Sequence, residues 1–318
     1  MTIFIPIILL ILGFVILVKG ADWFVDGSSK LAKSFGIPSL IIGLTIVAFG
    51  TSAPELAVSI IASIQNNSSI AIGNVVGSNI CNLLLVLGIS GLFGALSCKR
   101  KIISRDFVYS LLSYLVLTIL TAGFFIHGQT SGVLTRTNGL TLLCFLAIYI
   151  YALVQEAVTN IKSTEKEEKE KFSFKNILLI LVGLAGIVGG GELVVNCATK
   201  IAHIIGISDS VIALTVVAIG TSLPEIVTSV TAVRKGETDI AIGNVIGSNI
   251  FNILMILGLS SIVEPLTFDF NSFIDILIMC SAGLIVFFFT LKNMRIGKIK
   301  GSLMLGMYAV YTIYLLVR

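Results

Sequence analysis

The sequence predicts an all-α integral membrane protein of about ten transmembrane helices, arranged as two inverted five-helix repeats with broken helices at the centre. Three observations predict it. Hydrophobic residues make up 56% and charged residues 12% of the 318, with a mean hydropathy of +1.05, which is more apolar surface than an aqueous fold of this length can bury. One segment occurs twice: Gly50-Thr51-Ser52-Ala53-Pro54-Glu55 returns as Gly220-Thr221-Ser222-Leu223-Pro224-Glu225, and Gly77-Ser78-Asn79 returns as Gly247-Ser248-Asn249, both at an offset of 170. The basic residues fall almost entirely in alternate linkers.

The apolar runs reach the roughly 20 residues that a helix needs to cross the hydrocarbon. They are continuous rather than alternating, which argues against a membrane barrel. The expected spans cover residues 3–29, 38–64, 70–95, 106–127 and 138–159, then 175–199, 209–233, 239–263, 272–291 and 300–317. The first run could pass for a leader peptide. It lacks a small-residue cleavage site and has a counterpart in the second half, so it reads as a retained span. The charged stretch from Lys162 to Lys171 marks residues 161–174 as a solvated linker between a first repeat, 1–160, and a second, 175–318. The linker is too short for a soluble regulatory domain.

Seventeen of the 21 lysines and arginines lie in or beside the linkers after spans 1, 3, 5, 7 and 9. Positive charge marks the cytoplasmic side, so those linkers face the cytoplasm and both termini lie outside. Five spans per half is an odd number, so the second copy enters the membrane from the opposite side. Similar halves of opposite orientation are a common architecture of secondary transporters. Roughly half the positions match without a gap between residues 43–82 and 213–252, and Asp22 aligns with Glu192 further out.

Glu55 and Glu225 sit near the middle of their apolar runs, where an ionised carboxylate is costly. Pro54 and Pro224 remove backbone donors, and Gly50 and Gly220 weaken the helix just before them. Local unwinding is therefore expected, with carbonyls such as those of Ala48 and Ala218 exposed to a cavity. Thr51, Ser52, Thr221 and Ser222 add hydroxyls. Ser78 with Asn82, and Ser248 with Asn252, share a helical face by their spacing of four. The asparagines read either as ligands or as interhelical hydrogen-bonding groups. Carboxylate, hydroxyl, amide and carbonyl are all oxygen donors, which suit hard cations such as Ca²⁺ and Na⁺. Asp22, Asp26, Glu192 and Asn196 read as mouth or interface residues. Gly73, Gly77, Gly243 and Gly247 fit close helix contact.

The five cysteines are scattered and lack metal spacing, and the two histidines, His127 and His203, fall at loop-side positions. Zinc chemistry and a membrane hydrolase are poor fits, so a non-enzyme is expected. No cofactor, nucleic acid or obligate protein partner is implied, only membrane lipid and the ions.

With GTSAPE/GTSLPE and GNVVGSNICN/GNVIGSNIFN in place, the chain resembles the Na⁺/Ca²⁺ exchangers of the Ca²⁺/cation antiporter superfamily, in a form without a large regulatory loop. The resemblance implies a multi-pass protein of the cell membrane that exchanges Na⁺ for Ca²⁺ by alternating access and exports Ca²⁺. It implies that the first and sixth spans slide as a gating pair. Its metal ligands, carried over by position, are Ala48, Thr51, Ser52, Glu55, Ser78 and Asn82, with Ala218, Thr221, Ser222, Glu225, Ser248 and Asn252. Some members carry an aspartate where this chain has Asn82 or Asn252, so two carboxylates are expected here rather than three. A Ca²⁺/H⁺ antiporter of the same superfamily is the nearest alternative, and a cation channel a more distant one.

Overall fold

The computed structural model describes residues 4–98, 100, 102–126, 131–163, 173–205, 218–291 and 293–317. Among the described residues eight helices are long and apolar enough to cross a membrane, and a bent pair makes nine if it is counted as one span. In chain order they are α1 (Phe4–Phe35), the pair α2 (Ser39–Thr51) and α3 (Ala53–Ile64), α4 (Ser68–Phe93), α5 (Ile102–Gly123), α6 (Arg136–Asn160) and α7 (Phe174–Ile204). Two short helices follow, α8 (Ala218–Thr221) and α9 (Leu223–Arg234). The rest are α10 (Thr238–Val263), α11 (Phe270–Leu291) and α12 (Lys298–Val317). The expected span 209–233 begins outside the described residues, as does most of the expected linker.

Burial ranks the helices. The apolar window of α10 is 94% buried and that of α4 is 72% buried, against 11% in α12 and 22% in α6. Helices α4 and α10 therefore form the centre. The outer helices turn large apolar side chains outward, among them Ile11, Leu115, Phe288 and Val310. In water such a surface would be an aggregation patch; in a bilayer it faces its proper solvent.

The bend between α2 and α3 is 47°, and its cause is local. Ser52 alone leaves helical geometry, with φ −83° and ψ 7°. Pro54 lies in the first turn of α3, where its missing N–H would have had no helical partner anyway. The expected unwinding is thus a kink one residue wide. The Ala48 carbonyl is not laid bare, because it still accepts the Ser52 N–H at 3.1 Å. Pro224 holds the same place in α9, after Ser222.

Helices α1 and α7 pack backbone to backbone. A Cβ on Gly20 would lie 2.8 Å from the Gly183 carbonyl oxygen, and one on Gly190 would lie 2.9 Å from that of Gly13. A Cβ on Gly27 would meet the Asn176 carbonyl at 2.8 Å. The partner number falls by seven each time the first rises by seven, so the two helices run antiparallel along a glycine seam. Glycine permits this because no side chain holds the axes apart. Gly243 and Gly247 give the same close approach of α10 to α2, as expected. The residues equivalent to α2 that would face Gly73 and Gly77 fall largely outside the described residues.

Two short antiparallel strand pairs tie the ends together. β1 (Leu96–Ser97) pairs with β4 (Arg295–Ile296). β2 (Ser131–Leu134) pairs with β3 (Leu266–Asp269). Both pairs link the first half to the second.

The seam gives a direct test. Gly183→Leu must push α1 away, and overpacking of this kind should lower the melting temperature of the detergent-solubilised protein by roughly 5 °C or more. Gly189→Ala, on the same helix, meets nothing within 4 Å and should leave it unchanged.

Candidate functional site

Both repeated glutamates are fully buried, Glu55 and Glu225 each at 0% exposure. Each lies in the first turn of its helix, α3 or α9. The unpaired N–H groups of a helix start carry partial positive charge, so the backbone itself supports the carboxylates.

The hydroxyls expected around them are present. Ser78 Oγ donates to Glu55 Oε1 at 3.4 Å, and Ser248 Oγ donates to Glu225 Oε1 at 3.4 Å. Ser52 Oγ, from the opposite half, donates to Glu225 Oε1 at 3.0 Å. Behind each glutamate an asparagine braces the helix. Asn74 Nδ2 donates to the Glu55 carbonyl and to Ser59, and Asn244 Nδ2 does the same for Glu225 and Ser229.

Four oxygens at this centre have no hydrogen-bond partner among the described residues: Glu55 Oε2, Glu225 Oε2, Asn82 Oδ1 and Asn252 Oδ1. Buried acceptors are ordinarily paired, and a buried charge without a partner is costlier still. All four are oxygens, and all belong to residues singled out by the repeated motif. Such a group presents only lone pairs and matches the needs of a hard cation. Among the described residues no cluster of three or more His, Cys, Asp or Glu side chains suits a transition metal.

The remaining motif residues divide by side. Thr51 is fully buried; its hydroxyl donates to Asn244 Oδ1 at 2.9 Å and lies 3.5 Å from Ser248 Oγ. The Ala48 carbonyl lies 3.3 Å from Thr51 Oγ1 and 3.4 Å from Ser248 Oγ, as an alternative acceptor for their single protons. In the other half Thr221 makes no matching bond to Asn74 among the described residues. Thr221 instead lines a cavity of about 400 Å³ together with Pro54, Pro224, Glu192 and Asn196. Ser222 is buried and makes no bond to Glu55. Ala218 opens α8, and its side chain lies outside the described residues.

The mouth residues are equally unlike. Lys235 Nζ sits 2.8 Å from Asp26 and 3.5 Å from Asp22, and it donates to the Asp22 carbonyl at 2.8 Å. Ser29 donates to Glu237 beside them. These contacts fasten α1 to the end of α9. The equivalent of Lys235 in the first half is Gln65, and the aligned Glu192 lies on the cavity instead.

Two features escaped the sequence. A widened π-turn begins at each central asparagine, over Asn82–Val86 and Asn252–Leu257. Such turns recur at functional sites, and no residue pattern distinguishes them from plain helix. Asn79 and Asn249 stand inside the repeated motif, but their partners lie in the other half of the chain, where spacing cannot reach.

The family described as "Sodium/calcium exchanger protein" matches residues 5–155 and 175–317. Among curated proteins, the sodium/calcium exchanger MaX1 of Methanosarcina acetivorans is 35% identical over 342 residues, covering 97% of each chain. The putative antiporter CaxA of Alkalimonas amylolytica is 36% identical over 315 residues, covering 96% of each. Among solved structures, the sodium-calcium exchanger NCX_Mj soaked with zero Na⁺ and Ca²⁺ superposes with a TM-score of 0.84 at 32% identity, over 99% of this chain and 100% of that one. A match across nearly every described helix, on top of a paired carboxylate centre, establishes that the chain belongs to the sodium/calcium exchanger family.

Proposed function

We propose that the protein is a secondary antiporter of the cell membrane that exchanges Na⁺ for Ca²⁺ by alternating access and exports Ca²⁺ on the inward Na⁺ gradient. The observation that carries this is the buried Glu55–Glu225 pair, each with one oxygen that has no hydrogen-bond partner among the described residues. One Ca²⁺ or two Na⁺ balance two carboxylates. The same oxygens cannot hold both cargoes at once, so the ions compete. An empty pair is expensive to seal away from water, and the unloaded carrier therefore does not cross. Exchange follows from that restriction. The ligands are the twelve residues carried over above, five of them side chains from each half and the carbonyls of Ala48 and Ala218.

Ten crossings in two inverted sets are supported by parity. The strand pairs hold β1 with β4 on one face and β2 with β3 on another. Between β2 and β3 the chain must cross an even number of times. Helices α6, α7 and α10 account for three crossings, so the segment carrying α8 and α9 supplies the fourth. The antiparallel run of α1 and α7 agrees with five crossings per half, as do repeats bounded at 1–160 and 175–318 about a cytoplasmic linker at 161–174.

Basic residues place the Lys235 end in the cytoplasm and both termini outside. On that reading the Lys235 cluster closes the cytoplasmic mouth, and the cavity beside Thr221 and Glu192 opens to the exterior.

Proteoliposomes loaded with Na⁺ should accumulate ⁴⁵Ca²⁺ when diluted into Na⁺-free buffer. Uptake driven by a pH gradient, with none driven by Na⁺, would instead establish proton coupling. Glu55→Gln and Glu225→Gln each remove one charge close to the ion. A unit charge beside a divalent ion at intermediate dielectric is worth about twice the roughly 4 kcal/mol of a unit-charge pair, so Ca²⁺ should bind at least on the order of a thousandfold more weakly and flux should fall to background.

Orientation is checked separately. In a cysteine-free background, an impermeant maleimide added to right-side-out vesicles should label Lys200→Cys and leave Lys33→Cys unlabelled until the membrane is opened. The reverse pattern would invert the assignment.

A further inference from the structure

We propose that Asn79 and Asn249 are positioning residues, each of which fixes which way the ligand amide of the opposite half points. Asn79 thereby orients Asn252, and Asn249 orients Asn82. The inference rests on the reading of Asn82 and Asn252 as cation ligands.

An asparagine amide has a donor end and an acceptor end of nearly equal shape, so its orientation is decided by what surrounds it. Here the decision starts from groups that leave no choice. Asn79 Nδ2 lies 3.2 Å from the backbone carbonyl of Asn249 and 3.6 Å from Met279 Sδ. A carbonyl and a thioether only accept, so the nitrogen of Asn79 must be the atom that faces them. Its Oδ1 is then left toward Asn252, whose Nδ2 donates to it at 3.0 Å. With that nitrogen engaged, Asn252 Oδ1 is the atom turned away, and it has no partner among the described residues.

The other half repeats the chain of constraint. Asn249 Nδ2 lies 3.5 Å from the Asn79 carbonyl, which only accepts, and donates at 2.7 Å to the Tyr114 hydroxyl, to which Ser110 Oγ donates as well. Asn249 Oδ1 therefore faces Asn82 Nδ2 at 3.0 Å, and Asn82 Oδ1 is released. Asn79, Asn249, Asn82 and Asn252 are all fully buried, so no solvent competes for these bonds. A flipped Asn82 or Asn252 would set two acceptors against each other and aim an N–H₂ at a cation. The arrangement excludes both.

This role differs from that of general packing in one measurable way: each positioning residue acts through a single named amide. A double-mutant cycle isolates it. In proteoliposomes of the full-length protein, Asn79→Leu should raise the KM for Ca²⁺ about tenfold, with the maximal rate changed much less. Asn252→Ala should raise KM as well. Once Asn252 is gone, adding Asn79→Leu should raise KM no further, whereas Asn79→Leu with Asn82→Ala should multiply. Tyr114→Phe is the milder companion, close in volume. It should raise KM a few-fold, with the opposite partner preference: no added effect with Asn82→Ala, a multiplied one with Asn252→Ala.

Asn79→Leu and Tyr114→Phe that lower the melting temperature but leave KM unchanged would overturn the proposal. So would effects that multiply equally with both alanine variants. If Asn252→Ala and Asn82→Ala themselves leave KM unaltered, the ligand reading beneath the proposal fails instead, and the two failures are told apart by the single alanine variants.

Discussion

Two carboxylates at full burial, inside a bundle whose exterior is hydrocarbon-facing, set the terms for everything around them. Desolvation of one such charge is costly and desolvation of two neighbours is worse. The chain meets this with several modest supports rather than one counter-charge. Each glutamate lies in the first turn of a helix, where the helix dipole favours a negative charge. Serine hydroxyls donate to one carboxylate oxygen and leave the other free. A lysine or arginine in the same place would have neutralised the pair permanently and left nothing for a mobile cation to do. On the proposed reading the incomplete satisfaction of the centre is the functional property, and the nearly complete burial of α10 keeps water from erasing it.

Much of this was legible in the sequence because membrane physics writes large signals. Long apolar runs, basic linkers and ionisable residues at mid-depth each stand out against a hydrophobic background, and Glu55 and Glu225 are found where the motif put them. The proline in GTSxPE announced a break, but not its form. Whether Pro54 interrupts a helix or starts one depends on whether Ser52 keeps its N–H bonded to Ala48, which is a backbone detail with no residue signature. The π-turns after Asn82 and Asn252 are silent for the same reason. Contacts such as Lys235 with Asp26, or Asn82 with Asn249, join residues 209 and 167 positions apart, and nothing local encodes them. The two-residue strand β1 is too short to leave a period.

Near-symmetry sharpens the few places where the halves differ. Asn74 and Asn244 brace their glutamates alike, yet among the described residues only Thr51 is bonded to the opposite asparagine. Asp22 and Glu192 align, yet among the described residues only the former meets a lysine. On the proposed alternating-access reading, a pseudo-two-fold carrier held in one conformation breaks its symmetry in this way, closing contacts at one mouth and relinquishing them at the other. In the glycine seam between α1 and α7, the space beside Gly20, Gly183 and Gly190 is filled by backbone alone, while Val194 and Ile180 side chains sit against Gly13 and Gly27.

The strand pairs and the asparagine clasp also bear on how the molecule is made. β2 finds its partner only at Leu266–Asp269, and Asn79 finds its own only at Asn249 and Asn252. A ribosome adds about 5–20 residues per second, so the first half waits on the order of 10–30 s for the chain that completes it. Throughout that interval its central amides and strand edge have no native partner on the nascent chain, and of the Glu55 contacts described above only those from its own half, such as Ser78, are available. The first five helices therefore do not complete their own contacts, and the final step of assembly is the closing of one half upon the other within the bilayer.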